Sequence, residues 1–204
     1  MKGIPIVFTC FIILCIFLAV KRGSVTKKQK NISQEFWDKE QEANSVRRQS
    51  LESLPYIVIP TSKLPFMETD DEKISSLQKE VMNLSSKKIV NFSGKSNTDL
   101  KLEYGAPNLP ELTMMDENFI RLEHALCEWG EALADSGKSD EAITVLEFAV
   151  TCKSDIAKVY TKLASLYKYT DDPSKIYPLI VSAGEIGSSR KDSIVDSLTK
   201  ILNS

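Results

Sequence analysis

The apolar residues of this 204-residue chain fall into four successive patterns. From Ile4 to Val20 they form an uncharged run of seventeen residues, "IPIVFTCFIILCIFLAV". At a rise of ~1.5 Å per residue such a run covers about 25 Å of the ~30 Å hydrocarbon core of a bilayer. Lys2 on one side and Lys21 and Arg22 on the other can snorkel to the headgroups, so residues 1–20 are expected to be a single transmembrane anchor. Residues 21–53 are polar and basic, with Ile32, Phe36 and Trp37 as their aromatic and aliphatic exceptions. They fit either a juxtamembrane helix or a solvated stalk. The third pattern, "LPYIVIPTSKLPF", sets Pro55, Pro60 and Pro65 around a β-prone Tyr56-Ile57-Val58-Ile59. Proline excludes a helix here and confines any strand to an edge, while the exposed apolar side chains demand a surface to dock on.

Helical spacing follows. Ile74, Leu77, Val81 and Leu84 predict a short amphipathic helix with Asp70 or Asp71 as its cap. Residues 88–113, with two glycines and two prolines, read as a connector. Beyond them Asp116 is placed to cap a helix carrying Phe119, Leu122, Leu126, Trp129 and Leu133, which ends before Gly137. A second helix with Ala142, Ile143, Leu146, Ala149 and Val150 returns antiparallel through a short loop. The organisation is therefore an anchor (1–20), a stalk (21–53), an extended segment with a short helix and connector (54–115), and a helical domain (116–204). The fold class is mainly α.

Counting Glu123 as the first position of a 34-residue unit puts Trp129 and Gly130 at seven and eight, Gly137 at fifteen, Ala142 at twenty, Leu146 at twenty-four and Ala149 at twenty-seven. Small residues at eight and twenty let two helix backbones approach, and large ones fill the space between hairpins. This segment resembles a tetratricopeptide repeat. A second unit from Ala157 repeats the pattern through Leu163, Ala164, Tyr167, Ile180 and Ala183. It departs from the repeat at Ile176, where a small residue is wanted, and at "YTDDPSK" in place of a glycine turn, with Pro173 suited to open a helix. Ile194, Leu198, Ile201 and Leu202 then mark a capping helix. Two hairpins and a cap are fewer than such arrays usually need, so the helix near 73–86 and the proline-flanked segment are expected to complete the core. The whole layout also resembles single-pass membrane proteins of low-GC Gram-positive bacteria, a resemblance that implies architecture and no reaction.

The net charge of −2 hides an asymmetry. Residues 21–50 carry eight Lys or Arg against four acids, and residues 51–204 carry 17 against 24. A nucleic-acid binder wants a basic folded domain, and here that domain is acidic. The basic cluster Lys21, Arg22, Lys27, Lys28 and Lys30 sits directly after the apolar run, which by the positive-inside bias places the bulk of the chain in the cytoplasm. A cleaved signal peptide, giving an extracytoplasmic protein, is the alternative; against it stand a single lysine before the run, its length, and the lack of a small-x-small site.

Chemistry has few candidates. The one histidine, His124, lies three residues before Cys127, a spacing that makes them neighbours on a helix. A reactive thiolate wants a positive, accessible setting, whereas Glu123 and Glu128 flank this pair, so an enzyme is not expected and a thiol enzyme ranks third among the readings. His124, Cys127 and Cys152 lack the close-set ligands of a zinc site, and the glycines form no phosphate cradle, so no cofactor is expected. The binding reading has a mechanism. In peptide-binding tetratricopeptide arrays the first helices line a concave groove, and the resemblance assigns that role to His124, Cys127, Glu131, Ala134, Lys158, Thr161, Ser165 and Lys168. The implied partners are a protein or peptide, plus membrane lipid through the N-terminal helix and basic stalk. The segment Leu54 to Phe66 is either a fixed part of the fold, the favoured option, or a displaceable ligand of its own groove.

Overall fold

The structure is a computed structural model that describes Phe11, Leu14 and residues 32–203. The expected span Ile4–Val20, apart from Phe11 and Leu14, lies outside the described residues, as do Lys2, Lys21 and Arg22. Among the described residues no helix is long and apolar enough to cross a membrane. The described chain is mainly helical and contains no strand. Helix α1 covers 32–45, α2 Glu72–Leu84, α3 Asn97–Tyr104, α4 Leu109–Asp135, α5 Ser139–Thr151, α6 Ala157–Tyr169, α7 Ile176–Gly184 and α8 Lys191–Leu202.

Local chemistry sets most of these boundaries. The Asp71 carboxylate accepts the Ile74 amide at 3.0 Å and caps α2, which buries Ile74, Gln78, Val81 and Leu84 on one stripe. Helix α4 begins at Leu109, two turns before the expected cap at Asp116. Pro110 sits in its first turn, where a missing N–H costs nothing, so the proline that suggested a loop opens a helix. Asp116 lies inside α4, where its carboxylate accepts the Phe92 amide at 3.3 Å. The connector also holds α3, fixed by a reciprocal capping box between Ser96 and Asp99. At the other end of α4, Gly137 takes a φ of +75°, and the Lys138 amide closes the turn on the Leu133 carbonyl at 2.9 Å.

Helices α4 and α5 form the most extensive helix pair. A Cβ built on Gly130 would come within 2.6 Å of the Leu146 side chain, so this crossing needs the glycine. In the second hairpin, Pro173 opens a short 3-10 turn, Pro173–Lys175, and α7 starts only at Ile176. Ile176 is fully buried at the position where the first hairpin has Ala142. Helices α6 and α7 share less contact with each other than either makes with α8, which wedges in as a third partner.

The proline-flanked segment is extended and unpaired over 55–60 but turns at 61–64, where the Lys63 and Leu64 amides donate to the Pro60 carbonyl at 2.8 and 3.1 Å. Its Ile57 amide reaches across to the Ile89 carbonyl at 2.9 Å, and among the described residues no neighbouring strand continues a ladder. Ile59 and Leu64 are each 6% exposed and enter the main core, while Val58 is 80% exposed. Phe66 packs on Trp129 of α4 with ring centroids 5.1 Å apart. The Gln78 amide clasps Met67 from both sides, accepting its N–H at 2.6 Å and donating to its carbonyl at 3.1 Å. Leu54 joins Val90, Phe92, Leu100, Leu112 and Met115 in a second, smaller cluster.

Residues after α2 then run across the connections that follow each hairpin, α5–α6 and α7–α8. The Asn91 side-chain amide donates to the Cys152 and Lys153 carbonyls at 3.0 and 3.1 Å, at the α5–α6 loop. Gly94, with φ +88°, lies so close to the Gly187 backbone in the α7–α8 loop that no side chain fits. Helix α1 is fastened at its C-terminal half: Ala43 is fully buried, Glu40 pairs with Lys101 and accepts from Thr98 at 2.8 Å, and Lys39 pairs with Asp99 at 2.8 Å.

Candidate functional site

Helices α4 and α6 touch, and the eight residues expected to line a groove are divided between them, four on each. His124, Lys158, Ser165 and Lys168 are exposed, Glu131, Ala134 and Thr161 half-buried, and Cys127 buried. The seam between the two helices is crossed by two ion pairs, Glu131 to Lys158 at 2.7 Å and Asp135 to Lys162 at 3.0 Å. Acids come from α4 and lysines from α6, so the pairs fix the register of the two helices more than they add stability. The Thr161 and Ser165 hydroxyls donate to carbonyls one turn back on α6, at 3.2 and 2.9 Å. The face therefore carries mutually paired charges beside small side chains.

Burial pushes the Cys127 thiol up from its ordinary value, with the Lys158 ammonium opposing it. That direction is opposite to thiolate activation. Cys152, deeper still, is pushed up to about 12 by burial. No group of three His, Cys, Asp or Glu among the described residues is arranged to hold a metal ion.

A buried polar centre lies at the edge of this seam and went unread in the sequence. Glu123, 6% exposed, accepts the Ser154 hydroxyl at 2.8 Å and the Asp155 amide at 3.2 Å. The Tyr160 hydroxyl donates to the Ser154 carbonyl at 2.9 Å. Together they tie the α5–α6 loop to α4. Burial raises the Glu123 carboxyl above the usual range, partly offset by the Ser154 hydrogen bond. The one available signal was an acid adjoining the apolar stripe beside Leu122 and Leu126.

An open cleft of about 560 Å³ lies elsewhere, between the segment after α1 and the start of α4. Glu111 is shared there by Lys88 at 3.0 Å and Arg48 at 3.5 Å, and the Arg48 guanidinium donates to Asn108 at 2.7 Å. Its two cations are already engaged by protein groups, so it offers no unpaired cation to a ligand. No family matches the chain, and neither a curated protein nor a solved structure matches it.

Proposed function

We propose that this chain is a membrane-anchored interaction or scaffold module. Its tetratricopeptide-like helical domain faces the cytoplasm and binds a protein or peptide along the α4–α6 seam, while Ile4–Val20, flanked by Lys2, Lys21 and Arg22, holds it to the membrane. The observation that carries the binding reading is the shared face itself. Groove positions of two successive units, among them Glu131 and Lys158, meet across α4 and α6, and His124, Lys158 and Ser165 remain exposed there. The chain's own apolar segment does not compete for this face: Ile59, Leu64 and Phe66 are spent on the core and on Trp129, which supports its fixed role over a self-ligand. A ligand there has to exchange the Glu131–Lys158 and Asp135–Lys162 pairs for its own, which suits an extended segment that carries both signs.

The test uses the full chain in its own membrane with a photo-crosslinking residue at His124 or Ser165, against the same residue at Thr144, which is exposed on α5. A discrete product from the seam positions that is absent from Thr144 and lost on Lys158→Glu supports the reading. Equal products from both faces overturn it. A C-terminal reporter active only outside the cytoplasm would replace the orientation with the extracytoplasmic one.

A further inference from the structure

We propose that the first described turns of α1, through Ile32, Phe36 and Trp37, are seated in the headgroup layer of an anionic bilayer. This rests on the anchor reading above and adds a second, independent contact with lipid. Ile32, Phe36 and Trp37 are 57%, 53% and 62% exposed, and the two rings meet edge to face with centroids 5.4 Å apart. Tryptophan and phenylalanine in such an exposed cluster are unfavourable in water and favourable at the boundary between headgroups and acyl chains.

Two members of the cluster, Ile32 and Phe36, share the face by which α1 docks, and Trp37 stands beside it, about 100° further round the helix. Ile32, Phe36 and Ala43 follow one another at spacings of four and seven, which keeps them on one side of a helix. Ala43 is fully buried and Glu40 is held by Lys101 and Thr98, so the lower half of this face is covered by the domain and the upper half overhangs it. The clamp at Lys39, Glu40 and Asn44 keeps the overhang from folding back over the domain. The overhang is therefore a built projection whose apolar side awaits a cover.

Charge decides what that cover is. Residues 21–34, which follow the apolar run in sequence, contain Lys21, Arg22, Lys27, Lys28 and Lys30 and no acid. A basic stretch of that kind is drawn to anionic lipid and would repel its own copy on a second chain. The eleven residues of 21–31 reach at most about 40 Å, which keeps the overhang close to wherever the apolar run ends. Trp37 and Ala43 are separated by about 9 Å of helix rise, so the seat brings the α3 side of the domain close to the membrane surface.

The chain has two tryptophans, and Trp129 is fully buried inside the protein, so Trp37 can be read on its own by difference. The full chain is reconstituted in phosphatidylcholine vesicles containing about 30% phosphatidylglycerol, with lipids brominated either near the carbonyl or near the chain end, alongside Trp37→Phe. The expected result is a blue-shifted Trp37 component that loses about half its emission to the shallow bromines and little to the deep ones. Trp37→Phe removes this component and leaves the Trp129 signal unquenched. A protein that floats with the vesicles while Trp37 emits as in water and resists both quenchers overturns the seat and leaves the anchor standing. Failure to float at all refutes the anchor instead. Disulfide-linked dimers from Phe36→Cys in dilute vesicles, with Trp37 unquenched, would make a second copy the cover and overturn the lipid assignment.

Discussion

Replacing Leu64 by alanine asks whether the proline-flanked segment is part of the fold or a guest on it. Leu64 is 6% exposed and enters the same core as Ile59, Ile74 and Trp129. Truncation removes three carbons, worth about 2.4 kcal/mol in transfer alone at ~0.8 kcal/mol each. A cavity that relaxes only partly brings the expected loss to about 3 kcal/mol, within the range found for buried leucines. Val58→Ala, at a side chain 80% exposed six residues earlier in the same segment, is the control and should stay within about 0.5 kcal/mol of wild type. Urea titration of the full chain in detergent, followed by far-UV circular dichroism, reads both. With a slope of about 2 kcal/mol per molar, Leu64→Ala should lower the midpoint by about 1.5 M without changing the slope. A midpoint within about 0.2 M of wild type would show that the domain holds without this contact, and the segment would have to be treated as displaceable.

Three further outcomes follow from the same contacts. Gly130→Ala brings a methyl within 2.6 Å of Leu146. The overpacking cost of about 1–3 kcal/mol should exceed the gain of roughly 1 kcal/mol in helix propensity, and Leu146→Val in the same chain should restore most of the loss in urea titration. For Glu123, whose carboxyl burial lifts above its value of 4.5 in an unfolded chain, the charged form is the less stable one in the fold. Its contribution favours folding at acid pH and is lost as pH rises through the raised folded value, so the stability of wild type relative to Glu123→Gln should fall over that interval; a difference constant with pH refutes the assignment. Cys152, pushed up from 9.0 to about 12, should carry on the order of a thousandfold less thiolate than an ordinary cysteine. Peptide-resolved alkylation should find it unlabelled in the native chain at pH 8 and fully labelled in urea.

Features written in one stretch of chain were legible in advance. The stripe of α2 with Asp71 before it, the turn at Gly137 and the burial of Ile194 and Leu198 on α8 rest on spacings of three or four residues, one capping carboxylate and one glycine, though Leu202, expected on the same face of α8, is exposed. Prolines misled where their position in a helix mattered more than their presence: Pro110 belongs to the first turn of α4, and the short α3 was hidden in a stretch that looked like loop. The β-prone Tyr56 to Ile59 failed to become a strand because pairing requires a neighbour that only the tertiary structure can supply, and Ile89 supplies one hydrogen bond. On the candidate face, repeat register placed Glu131 and Lys158 on neighbouring helices, but their pairing and the Asp135–Lys162 rung depend on how α6 packs. Glu123, Ser154 and Tyr160 meet only once the α5–α6 loop has folded against α4, and no periodicity announces that.

The run from Asn91 to Gly94 alters how this molecule must reach its native state. Open arrays of hairpins assemble from neighbour to neighbour, and units can be added or lost with little effect on the rest. Here Asn91 binds a loop 61 positions away and Gly94 abuts Gly187, so the hairpins are closed into a ring by chain that precedes them. Such distant pairings raise contact order and leave a closure step after the local hairpins have formed. The domain should therefore melt as one cooperative unit, and inserting a further hairpin between α5 and α6 should break the ring instead of lengthening the array.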